Sequence, residues 1–128
     1  MIRLWDEQAT AEVGEAALAA LHDRAFGRGL DVRDQPFAPY SSGYAARLKA
    51  AGESTRVDLR RTGRLEAAVL GSLEVGATEA RLALTGEEAQ VAARIQVTRE
   101  FWGISPIDRS AIAEAVRSGV LGALERGR

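Results

Sequence analysis

Residues 28–62 constrain what this chain can fold into more than any other stretch. They show no sustained hydrophobic periodicity, yet they carry two of the three prolines, Pro36 and Pro39, and three of the five Phe and Tyr residues, Phe37, Tyr40 and Tyr44. A connection of this length in a compact domain is uncommon and tends to be functional or to order itself on a partner. One short helix is expected to interrupt it, from Ser42 to Ala51, with a serine at its start and Gly52 at its end. With 128 residues in all, the chain is expected to be a single domain over 1–128, with 28–62 as a long assembly loop and the rest supplying one core. A domain of this size buries roughly two-thirds of the surface that its unfolded chain exposes, enough to fold without disulfides or metals. The absence of cysteine is then no handicap; it removes thiolate metal sites and cysteine nucleophiles and fits synthesis in a reducing compartment.

The flanks are periodic. From Asp6 to about Phe26 an alanine- and glutamate-rich segment repeats Val13, Ala17, Leu18 and Leu21 at helical spacing, with Asp6 as the expected N-cap and the glycines of GRG as the stop. After the loop, TGRLEAAVLGSLEV, a turn at Gly76, Ala77 and Thr78, and EARLALT with Ala80, Leu82 and Leu84 in alternation read as a β-hairpin. GEEAQVAAR suits a helical turn or two, and RIQVTR, with Ile95 and Val97, suits a third strand. Asp108, or Ser105 with Pro106 just inside, opens a last helix whose face runs Ile112, Ala115, Val116, Gly119, Val120 and Ala123, with Leu121 on the opposite side. That stripe of small and β-branched residues lets the helix lie close to the sheet or to the first helix. The expected fold class is α+β: a small antiparallel β-sheet packed against N-terminal and C-terminal helices, with a long loop carrying a short helix.

No segment approaches the run of ~18 apolar residues that a membrane span needs, and MIRLWDEQAT lacks the pattern of a signal peptide. The formal net charge is −1, which disfavours a dedicated nucleic-acid binder. Charge is unevenly spread. Between Arg28 and Arg64 eight basic residues (Arg28, Arg33, Arg47, Lys49, Arg56, Arg60, Arg61, Arg64) face four acids (Asp31, Asp34, Glu53, Asp58), a surplus of four that leaves −5 elsewhere. A basic arm on an acidic body suits head-to-tail contact between identical subunits, although a solvated loop gives the same count.

Little in the sequence carries chemistry. The one histidine, His22, stands near the end of the first helix, where it complements the dipole. Glu87 and Glu88 stand at the start of a helix as capping charge. No glycine pattern cradles phosphate and no serine sits in a GxSxG elbow. The expectation is a protein that is not an enzyme, with no catalytic, metal or cofactor residues. In FAPYSSGYAARLKAAGESTRVDLRRTGRLEAAV the aromatics interleave with arginines, as they do at protein interfaces. In REFWGIS, Phe101 reads as core and Trp102 as a lid on it or a contact.

These patterns in this order resemble a family of small phage virion-morphogenesis proteins that act in head-tail joining and tail completion. In that family F-x-P-Y-S-x-x-Y-A is followed by V-D-L-x-x-T-G-x-[LM], and R-x-F-[LW]-G-[IL]-S introduces the last helix. The matching residues are Phe37, Pro39, Tyr40, Ser41, Tyr44 and Ala45; Val57, Asp58, Leu59, Thr62, Gly63 and Leu65; and Arg99, Phe101, Gly103, Ile104 and Ser105. Glu100 stands where that family often has proline. Within the second motif, Thr62 can cap the following turn and Asp58 can pair with Arg60 or Arg61.

The resemblance implies a structural virion protein, made in the host bacterial cytoplasm, that forms a ring, commonly sixfold, in the neck between portal connector and tail tube. Its partners would be itself, the connector-side neck proteins and the tail tube or terminator proteins, with DNA passing through the ring. The expected subunit contacts are Phe37, Tyr40, Tyr44, Arg47, Asp58, Arg60, Arg61, Arg64, Trp102 and Leu121, and the loop from Gly29 to Thr62 is expected to order only in the ring. The rival readings are a tail terminator of the same particle, a non-phage adaptor domain that binds a protein partner, and a small hydrolase built around His22.

Overall fold

The computed structural model describes residues 3–55, 57, 59 and 63–127. Among them are helices α1 (Glu7–His22), α2 (Ser42–Ala50), α3 (Arg64–Leu70), α4 (Gly86–Gln96) and α5 (Pro106–Arg126), with one antiparallel hairpin of β1 (Leu73–Val75) and β2 (Ala80–Leu82) between α3 and α4. The fold is α+β, with helices at both ends.

α1 starts where its cap dictates: the Asp6 carboxylate accepts from the Ala9 amide at 2.9 Å, satisfying one of the orphan donors of the first turn. It does not stop at His22 but widens into a π turn, Asp23–Gly27, in which the Arg28 amide reaches back five residues to the Asp23 carbonyl at 2.8 Å. Gly29, at φ +67°, then reverses the chain in a conformation that glycine adopts without steric cost.

α5 opens with a full capping box. Ser105 Oγ accepts from the Asp108 amide and Asp108 Oδ2 accepts from the Ser105 amide, both at 3.1 Å, with Pro106 as the first helical residue. Its partner is α1, not the sheet. A Cβ on Gly119 would lie 3.2 Å from the Ala9 Cβ and 3.1 Å from the Trp5 ring, so the small-residue stripe is what brings the two helices together. The stripe is narrower than the sequence pattern suggests, because α5 has one helix to cover it: Gly119 and Ala123 are buried, while Val116 stays 40% exposed. Arg126 closes the pair by gripping both Asp6 carboxylate oxygens at 2.7 Å.

The hairpin pairs Leu73 with Leu82, Glu74 with Arg81 and Val75 with Ala80 around the expected turn. It lies against α1 at Gly14, where a Cβ would meet Ala80 and Leu73 at 2.8 Å. Two expected strand segments are helical instead. RLEAAVL forms α3, with Leu65 and Val69, four residues apart, both buried. The expected third strand around RIQVTR is the end of α4 and the turn after it. In a strand Ile95 and Val97 would share one face; here Ile95 packs on the core and Val97 is 83% exposed.

The core gathers Leu21, Ala25, Phe26, Phe37, Leu65, Val69, Ala92 and Phe101. Phe26 meets Phe101 edge to face, with ring centroids 6.3 Å apart. Phe37, expected at a subunit contact, is thus a core residue, because residues 29–37 fold back on themselves. Leu30 bridges to Pro36, the Phe37 amide donates to the Gly29 carbonyl at 3.0 Å and the Asp31 amide donates to Gln35 at 2.8 Å. Residues 29–37, the first part of the loop expected to order on assembly, are thus held by hydrogen bonds within the chain itself. Asp58, Arg60, Arg61 and Thr62, with the pairing and capping expected of them, lie outside the described residues.

Candidate functional site

Two sites carry the motif residues, one inside the fold and one on its surface. The inner one is organised by Arg24, an arginine that falls on the continuation of the buried α1 stripe, three residues beyond Leu21. Its side chain is wholly buried. Nε donates to Asp108 Oδ2 at 2.8 Å, Nη1 to the Leu30 carbonyl at 3.0 Å, and Nη2 to the carbonyls of Phe101 and Gly103, both at 2.9 Å. One planar fork thereby joins the π turn, the start of the loop, the FWG segment and the first turn of α5. Asp108 serves both the capping box and the ion pair through Oδ2, while its Oδ1 is sealed from solvent and accepts no hydrogen bond among the described residues.

The loop is pinned to the same junction. Asp31 Oδ1 accepts from the amides of Arg33 and Gln35 at 2.8 and 3.0 Å, and the Val32 amide donates to the Glu100 carbonyl at 2.8 Å. Asp34, held at φ +60°, accepts from the Ile107 amide at 3.0 Å. Desolvation pushes the Asp34 carboxyl up, but the Ile107 amide, the Ser105 hydroxyl and the charges of Arg24 and Arg28 outweigh it and leave the group below its ordinary value. Gln96 completes the frame: its side-chain oxygen accepts from the Phe101 and Trp102 amides at 3.1 and 3.0 Å.

The outer site is built on α2. Ser41 caps it, accepting from the Tyr44 amide at 3.3 Å, and Leu48 is its one buried residue. Tyr40 and Tyr44 meet edge to face with centroids 5.0 Å apart. Arg47 lies over Tyr44 at 5.6 Å and Arg99 over Tyr40 at 4.9 Å, distances at which a guanidinium is attracted to the ring face. Arg99 also donates to the carbonyls of Ala38 and Pro39 at 3.1 and 3.4 Å. The result is a half-exposed aromatic knob braced by two cations.

Of the expected contacts among the described residues, the structure brings together Tyr40, Tyr44 and Arg47 and places Phe37, Arg64, Trp102 and Leu121 elsewhere. Phe37 lies in the core. Arg64, on the first turn of α3, pairs with Glu87 and Glu88 at 3.4 and 3.1 Å, both exposed links of small energetic weight. Trp102 is half-buried against the core, beside Phe101. Leu121 stands 59% exposed on α5. Sequence reasoning missed Arg24 and underused Arg99; the signal for Arg24 was an arginine in register with a buried stripe, which ordinarily reads as the stripe's end.

His22 faces Glu66 of α3 at 2.8 Å and stacks on Phe26 at 5.7 Å, so it ties α1 to α3. No group of three His, Asp or Glu side chains that could hold a metal is found among the described residues, and none of their helices is long and apolar enough to cross a membrane. No family model, curated protein sequence or solved structure matches the chain.

Proposed function

We propose that the chain is a structural subunit of a tailed-phage particle, assembling with copies of itself into a ring at the neck, where head joins tail, with the connector-side neck proteins and the tail tube as its neighbours and DNA passing through its lumen. The observation that carries this is the α2 knob: two tyrosines and two arginines held together at the surface on a helix that buries one residue. Tyr and Arg are the residue types enriched at protein interfaces, and a rigid aromatic pair loses little conformational entropy on docking. The motif segments behind the resemblance also meet in space, since Arg99 of REFWGIS bonds to Ala38 and Pro39 of FAPYSSGYA.

The test is the mass of the purified chain by light scattering across a concentration series, with negative-stain imaging of large species. A closed ring, formed alone or on mixing with connector and tail proteins, is the expected result. A monomer or dimer that ignores those proteins overturns the neck assignment and favours an adaptor domain with a different protein partner.

A further inference from the structure

We propose that the face of α5 turned away from α1 pairs with the same face of a second copy of this chain, the two helices running antiparallel about a two-fold axis. α5 rests on α1 through the side that carries Gly119, with Ala123 buried on the same side. Half a turn round the helix, Ile107, Ser110, Glu114, Arg117, Leu121 and Leu124 follow one another at alternating spacings of three and four residues, which sets them in one stripe. That alternation is the spacing of a seam between two helices. Ile107 and Leu121 are 50% and 59% exposed; Ser110, Glu114 and Arg117 are exposed and Leu124 is half-buried. The small, uncharged Ala111, Ala113 and Ser118 beside the stripe let a second backbone come close.

The order of residues along the stripe says what covers it, because turned end for end the stripe is its own complement. Ile107 then faces Leu124 of the other copy, Ser110 faces Leu121 and Glu114 faces Arg117, and the two-fold axis repeats each contact. The layers are apolar on apolar, small on large and acid on base. Glu114 and Arg117 make no salt bridge with each other or with any other described residue, so both charges are open to a partner. A parallel pairing would set Glu114 against Glu114 and Arg117 against Arg117, and like charges repel. The central pair therefore selects the antiparallel register, as polar residues within a helical seam do at some cost in affinity. A two-fold contact closes after two copies. It is distinct from the head-to-tail contacts of a ring and does not rest on the reading of the chain as a phage subunit.

Charge reversal in the full chain tests the pairing. Glu114→Arg sets base against base twice across the seam, and Arg117→Glu sets acid against acid. Each is expected to weaken dimerisation by about tenfold or more, read by sedimentation across a concentration series. An equimolar mixture of the two variants is expected to associate again, as a heterodimer with both ion pairs inverted, and a general loss of folding would not allow that. Cysteine is absent from the chain, so a mixture of Ser110→Cys and Leu121→Cys copies reports the orientation: a 110-to-121 disulfide is expected on mild oxidation. A 110-to-110 disulfide in Ser110→Cys copies alone would mean parallel pairing and overturn the proposal. A wild-type chain that stays monomeric at every concentration overturns it too. So does a dimer or a ring whose mass neither reversal changes, and if that species is a ring, the ring assignment stands while the α5 pairing falls.

Discussion

Arg24 and Arg47 both lie beside the segments that carry the resemblance, and they do opposite things. Arg24, with no exposed surface, gives its fork to one carboxylate and three carbonyls drawn from residues 30 to 108. Arg47 is exposed and lies over a single ring. A buried guanidinium must be fully satisfied or it unfolds its surroundings, so it dictates how four segments meet. An exposed one is hydrated and screened, and contributes little until a partner covers it. The first arginine specifies the fold and the second is available to an interface.

The sharpest way to break that contrast is Arg24→Met. It leaves Asp108 buried without its cation and is expected to lower stability by ~3–5 kcal/mol in denaturant titrations. Adding Asp108→Leu is expected to restore part of the loss; no restoration would mean that the carbonyl bonds, rather than the ion pair, hold the junction. Ser105→Ala removes the cap of α5 at the same junction, with an expected loss of ~0.5–2 kcal/mol. On the α2 side, Tyr40→Ala removes the ring under Arg99 and is expected to cost only ~1 kcal/mol of monomer stability while weakening assembly more strongly; equal losses in both would make the knob part of the core.

The Asp6–Arg126 clasp gives a pH signature. The bonds from Arg126 and the Ala9 amide hold the Asp6 carboxyl near 2, below its ordinary 3.8. A carboxyl depressed on folding stabilises above its unfolded value and loses that contribution as pH falls through the folded one. Acid destabilisation between about pH 4 and about pH 2 is therefore expected to be shallower in Asp6→Asn than in the parent chain, seen as a smaller shift in Tm across that window. Smallest of all, Leu121→Lys is expected to leave stability within ~0.5 kcal/mol, and any effect it has is expected in the mass of the assembly.

Much of the framework is legible in the sequence. Asp6 announces α1 because capping chemistry is local, the sequence narrows the start of α5 to Ser105 or Asp108, and α2 and the hairpin turn follow from a serine at the entry, Gly52 and Gly76 for the same reason. The failures were non-local. RLEAAVL and the end of α4 are short apolar runs whose helix or strand state depends on which neighbours bury Leu65, Val69 and Ile95. Of the surface site, Tyr40, Tyr44 and Arg47 could be anticipated from composition, but not that Arg99, more than fifty residues away in sequence, braces them.

By itself the sequence determined the helix boundaries set by caps, the small-residue stripe of α5, the hairpin turn and the uneven charge of residues 28–64, because each depends on residues within a few positions of one another or on simple counts. Only the tertiary structure decided that Phe37 is core rather than contact, that Arg24 joins four segments and that α5 lies on α1. Those outcomes depend on which buried polar atoms can find partners across the whole chain, and that accounting closes only in three dimensions.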